Sequence, residues 1–192
     1  SDVCSSDLTV GRDRFCGILM SREAFQAMPI LSDFSRRKKI SYFIDAMPKN
    51  ARILEIGCGD GWVGKYLQEN GWNNYLGLDL VPPAPVVGNI KSWRDLGLQP
   101  QSFDYIIAFE VVEHIDCFQE CYDLLKSGGK LLITSPVPAM DGVLKLLEFL
   151  GLNQKRTSPH VNLIDLKTVT LFPKKQIEVK AFLAQWAILE KV

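Results

Sequence analysis

From residue 52 to residue 136, short apolar runs bounded by glycine or proline alternate with stretches whose apolar residues recur every three or four positions. Residues 52–56, 75–78, 86–87, 103–109 and 130–134 read as strands. Residues 62–70 read as a helix, with Val63, Tyr66 and Leu67 on one face and Gly71 as its stop. A second helix runs from the end of the fourth strand to about residue 126, carrying Phe118, Cys121, Tyr122 and Leu125. Val143, Leu146, Leu147 and Leu150 mark another, and residues 177–182 and 186–189 close the chain as a pair of strands. Strands alternating with helices of roughly 10–15 residues build βαβ units, and such units give a mostly parallel sheet with helices on both faces. The expected fold is α/β, a doubly wound seven-stranded sheet. Ligands of such sheets bind at the carboxyl ends of the strands, where strand order reverses.

The chain has 192 residues, 47% of them hydrophobic and 23% charged, which is ordinary globular usage and allows one full core. Its 22 basic and 22 acidic residues cancel, so bulk attraction to nucleic acid is not expected. There is no apolar run of about 18 residues to span a membrane. The five cysteines are odd in number and form no CxxC pair, which reads as a reduced, cytoplasmic chain. Residues 1–8 have no basic start and no apolar segment of a signal, and they read as non-native sequence. Residues 9–50 form a helical lead-in to a domain over 51–192. In that lead-in Ile40, Phe43, Ile44 and Met47 share a face, Ser32 or Asp33 caps the helix and Pro48 ends it. Arg36, Arg37, Lys38 and Lys39 on the same helix read as a solvated face rather than a patch for an anionic substrate.

The turn after the first strand is Glu55-Ile56-Gly57-Cys58-Gly59-Asp60-Gly61. A ligand pressed against a tight strand-to-helix turn leaves no room for Cβ, and glycine reaches positive φ. The spacing is GxGxG; a dinucleotide turn would need glycine where Trp62 stands, and no Gly-Lys-Ser/Thr follows. Asp79, 18 residues after Gly61, ends the second strand, where a carboxylate can accept from both hydroxyls of a ribose.

The run from Ile53 to Gly61 resembles the first motif of class I S-adenosylmethionine-dependent methyltransferases, and Gly77-Leu78-Asp79 their second. Gly88-Asn89-Ile90 is similar to the segment that meets adenine, and the runs beginning at Phe103 and Leu124 resemble the later strand motifs. The resemblance implies S-adenosylmethionine as cofactor. It implies that Glu55, Gly57, Cys58, Gly59 and Gly61 hold the amino-acid end, Asp79 the ribose, and Leu80, Asn89 and Ile90 the adenine. Asn89 departs from the usual Asp, but its side-chain oxygen still accepts. Phe109 and Glu110 would line the space near the reacting methyl.

Glu110, Glu113 and His114 follow the fourth strand at i, i+3, i+4, which on a helical turn places them on one side. The second of the two histidines is His160. A preferred reading gives His114 and His160 a substrate-facing role, in which one or the other is the general base that takes the acceptor's proton. A packing role comes next. The third reading is a divalent ion on Glu110, Glu113, His114 and His160, a pattern that resembles ubiquinone-pathway and small-RNA methyltransferases. The expected activity is methyl transfer to a small molecule, at oxygen. The alternatives are an RNA 2′-O-methyltransferase and a cofactor-binding module without activity.

Overall fold

The computed structural model describes residues 30–140, 142–143, 149, 163–181 and 183–192. Residues 1–29, the helix expected around Leu146 and His160 lie outside the described residues. Helix α1 (Ile30–Lys39) passes directly into a π-helical turn, Ile40–Ile44. Ser32 and Asp33 therefore lie within the helix and do not cap it. Seven strands follow: β1 (Ile53–Ile56), β2 (Tyr75–Asp79), β3 (Val86–Val87), β4 (Phe103–Phe109), β5 (Leu125–Pro136), β6 (Lys174–Lys180) and β7 (Ala184–Glu190). They form one sheet in the order β3-β2-β1-β4-β5-β7-β6. The first five run parallel and β7 enters antiparallel between β5 and β6.

Period-two alternation divides the core between the two faces of the sheet. Leu54, Ile56, Ile106, Ala108, Leu131 and Ile133 pack on one side against α3 (Phe118–Leu124), through Phe118, Cys121 and Leu124. Ile53, Ile107, Leu132 and Trp186 pack on the other against Phe43 and Ile44 of the π turn and Val63 and Leu67 of α2 (Trp62–Glu69). Cys117 and Cys121 are buried at the start of α3, where they pack. Helix α2 ends as expected. Trp72 N–H donates to Leu67 O and Gly71 N–H to Gln68 O, the paired bonds of a Schellman stop, with Gly71 at φ 91°. The buried Trp72 then packs in the same cluster as Leu67.

Three elements differ from expectation. Helix α3 begins only at Phe118, so residues 110–117 are turns. Strand β5 begins at Leu125, five residues early, because the pairing with β4 slips between Phe103 and Tyr105 to absorb Gly128 and Gly129. The closing strands are longer than their apolar stretches, since antiparallel pairing extends over charged residues with one side in water.

Candidate functional site

Strand order reverses between β1 and β4, so the turns leaving these strands open a crevice at the carboxyl edge of the sheet. The glycine turn is sewn to the end of β2: Gly57 N–H and Cys58 N–H both donate to Leu78 O, at 2.8 and 3.2 Å. Gly59 N–H donates to one carboxylate oxygen of Asp79 at 2.8 Å, and Leu80 N–H to the other at 2.7 Å. Asp79 thus holds the turn's shape, and each of its oxygens keeps a further lone pair toward the crevice. The glycines serve different ends. A Cβ on Gly57 would stand 2.6 Å from Val111 Cγ2, so protein fills that space. A Cβ on Gly59, at φ 52°, would meet nothing within 4 Å, so the room beside it is open to a ligand.

Beneath the turn lies Glu55, 3% exposed, which accepts from the Tyr75 hydroxyl. Burial pushes its carboxyl up to about 8 against the pull of that hydrogen bond. Leu80 is 67% exposed at the mouth, and Ile90 is buried. Asn89 Oδ1 accepts from Lys91 N–H at 2.9 Å, which caps a short 3-10 turn. Glu55, the glycine turn and Asp79 are therefore brought together directly, while Asn89 stands one strand further out and already serves the backbone.

The turn after β4 corrects the expected helical face. Glu110 takes φ 57°, which breaks the register with Glu113 and His114. Its side chain, 45% open, faces the crevice, whereas Glu113 is wholly buried and His114 half-buried. Glu110 accepts from Lys39 Nζ at 2.9 Å and from Thr134 Oγ1 at 2.8 Å. Desolvation raises its pKa, but the Lys39 charge and these bonds outweigh it and hold the carboxyl below its ordinary value. Burial, then the Glu110 charge, drives Glu113 the other way. One carboxyl of the pair is ionised and the other neutral. Among the described residues no three His, Cys, Asp or Glu side chains are grouped to hold a metal.

The basic run on α1 is the second correction. Arg36 pairs with Asp60 of the glycine turn at 2.9 Å and lies over the Trp62 ring at 5.1 Å. Lys39, 8% exposed, pairs with Glu110 and lies over Phe109 at 5.3 Å, and Phe109 stacks on Trp62. Two of the four charges thus form a wall of the crevice. A signal was present in the sequence: Lys39 stands four residues before Phe43 and eight before Met47, in register with the buried stripe. Tyr75 and Thr134 had no such signal, since their roles depend on partners across the sheet.

A pH prediction follows from Glu113. Unfolded, it loses its proton near 4.5; folded, it holds the proton to higher pH. Its contribution is complete below the unfolded value and is lost as pH rises through the folded one. Glu113→Gln keeps shape without the proton to lose. Thermal melts are expected to match the parent at about pH 5 and to exceed it at about pH 8.

Two surface depressions, of about 630 and 400 Å³, lie at the opposite, amino end of the sheet beside Lys191 and Asp104. They contain none of these groups.

Comparison with known proteins bears on the crevice. The family model described as a methyltransferase domain matches residues 30–171. The ubiquinone biosynthesis O-methyltransferase of Xanthomonas euvesicatoria pv. vesicatoria (strain 85-10) is 30% identical over 103 residues, 44% of this chain and 43% of that protein. The mitochondrial ubiquinone biosynthesis O-methyltransferase of Rattus norvegicus is 32% identical over 110 residues, 44% of this chain and 30% of that protein. The chain spans under half the length of these curated relatives. The crystal structure of a SAM dependent methyltransferase from Archaeoglobus fulgidus covers 84% of the chain and 93% of its own, with a TM-score of 0.59 at 17% identity, a likeness of fold. With a sheet of this order, a glycine turn tied to an acid at the end of β2, and a family match that runs from α1 past the β4 turn, the chain belongs to the methyltransferase-domain family.

Proposed function

We propose that this protein transfers the methyl group of S-adenosylmethionine to an oxygen of a small-molecule acceptor at the crevice between β1 and β4. The observation that carries the reading is the open space beside Gly59, framed by Asp79 on one side and Glu55 below. The donor set fits the cofactor: Asp79 retains acceptor capacity for ribose hydroxyls, and Glu55 is an acid placed under the turn for an ammonium. Bound there, S-adenosylmethionine supplies an electrophilic methyl on a sulfonium. Glu110 and Phe109 line the crevice at the end of β4, and one imidazole, that of His114, four residues beyond Glu110, or that of His160, takes the acceptor's proton. An acceptor hydroxyl is a poor nucleophile until that proton leaves, and an imidazole is a side chain suited to take it.

A small molecule is favoured over RNA because Arg36 and Lys39 are already committed to Asp60 and Glu110. No helix among the described residues is long and apolar enough to cross a membrane. The O-methyltransferase relatives support oxygen as the acceptor atom.

The test is incubation with methyl-labelled cofactor and fractionated cell extract. Label is expected in low-molecular-weight material. Label in RNA would replace the reading by the 2′-O-methyltransferase, and no label despite tight cofactor binding would leave a binding module. Asp79→Ala is expected to weaken cofactor binding by about 1.5–3 kcal/mol, as for hydrogen bonds to a charged group. Calorimetric titration with S-adenosylhomocysteine measures it.

A further inference from the structure

Tyr75 opens β2 opposite Ile53, and Gly77, two residues on, lies opposite Glu55. The Tyr75 side chain runs along its own strand, and its hydroxyl donates to Oε2 of Glu55. The space it occupies is built by two glycines. A Cβ on Gly64 of α2 would stand 2.4 Å from Tyr75 Cε1, and a Cβ on Gly77 would stand 2.8 Å from the Tyr75 oxygen. Neither glycine has a positive φ, so neither is needed for its backbone. Two elements give up a side chain each to admit one phenol.

The groups that face Glu55 are few. Asp60 of the glycine turn and Asp79 at the end of β2 act on it as negative charges, and Cys58 in the turn is a buried thiol. Its β4 neighbour in register is the apolar Ile107. Burial, Asp60 and Asp79 all favour the neutral acid, and among the described residues only the Tyr75 hydroxyl favours the carboxylate. Tyr75 itself stays a phenol, because burial and then the Glu55 charge raise its pKa.

We propose that Tyr75 is a positioning residue of the cofactor site, holding the Glu55 carboxyl group in the orientation that receives the ammonium of the cofactor's amino-acid end. The proposal rests on the cofactor reading of the glycine turn. Glu55 makes the contact and Tyr75 acts through it. A neutral Glu55 loses its proton when the ammonium arrives, so binding releases a proton wherever the free site is protonated. Without the phenol the free site holds that proton to higher pH.

The experiment is calorimetry of the full chain, the Tyr75→Phe variant and the Glu55→Gln variant with two probes. S-adenosylhomocysteine carries the amino-acid end and 5′-methylthioadenosine lacks it. Proton release is read from titrations in two buffers of different ionisation enthalpy across the pH range, with Glu55→Gln subtracting the ligand's own titration. Tyr75→Phe is expected to bind S-adenosylhomocysteine about tenfold more weakly near neutral pH, the low end for a hydrogen bond to a charged group. Methylthioadenosine affinity is expected to stay unchanged. The pH at which proton release fades is expected to rise from near 8, the parent Glu55 value, to a higher value. Glu55→Gln is expected to show the same ligand selectivity and no release, and it tests the charge even if Tyr75→Phe folds poorly. Equal loss for both probes would make Tyr75 a packing residue and overturn the proposal, as would an unmoved release profile or full affinity in Glu55→Gln. A parent chain that binds neither probe would overturn the cofactor reading itself.

Discussion

Gly59→Val is expected to abolish S-adenosylmethionine binding while leaving the protein folded. Gly59 stands at φ 52°, where a β-branched residue is strained, at a cost of about 1–3 kcal/mol. A Cβ there meets no protein atom within 4 Å, so the fold has no steric reason to fail. The added carbons fill the space the ligand needs, and the strained backbone turns Gly59 N–H away from Asp79. Circular dichroism should show a native spectrum with a lowered melting temperature, and calorimetry no detectable heat of binding. Gly57→Ala gives the contrasting result. Its Cβ collides with Val111, so stability falls before binding is in question. A Gly59→Val protein that binds the cofactor at parental affinity would remove the ligand from this turn.

His114→Ala is expected to lower turnover by roughly 10²–10⁴, the contribution of a positioned base, with cofactor affinity unchanged. The low-pH limb of the rate profile, set by protonation of that base, should vanish with it. His160→Ala is expected to behave likewise if both imidazoles serve one acceptor. The metal reading gives another pattern: chelator stops turnover, manganese restores it, and Glu110→Ala fails as completely as His114→Ala. In the structure Glu110 is held by Lys39 and Thr134, and Glu113 points into the core. Parental turnover in His114→Ala would return that residue to a packing role.

The parts of the site that are continuous in the chain were legible in the sequence. The apolar run, the glycine spacing and Asp79 occur in an order that admits few folds, and the structure joins Gly59 to Asp79 over 20 positions. The Glu110, Glu113, His114 cluster was misread, because i, i+3, i+4 spacing has meaning only on a helix. A non-glycine residue at positive φ is rare and is set by its surroundings, which for Glu110 include Lys39, 71 positions away. The basic run on α1 was misread for a related reason. Four adjacent charges resemble a solvated face until α1 is docked, and docking places Arg36 on Trp62 and Lys39 on Phe109.

By itself the sequence determined which segments become strands and helices, the class of sheet they build, and the glycine turn that joins β1 to α2. Those follow from periodicity and glycine, which act within a few residues. Only the tertiary structure decided which polar groups complete the crevice: Tyr75 beneath Glu55, Arg36 on Asp60, Lys39 on Glu110. Periodicity tells a side chain which face to take and says nothing of what stands opposite. That partner is chosen by sheet order and helix docking, and burial then sets its charge.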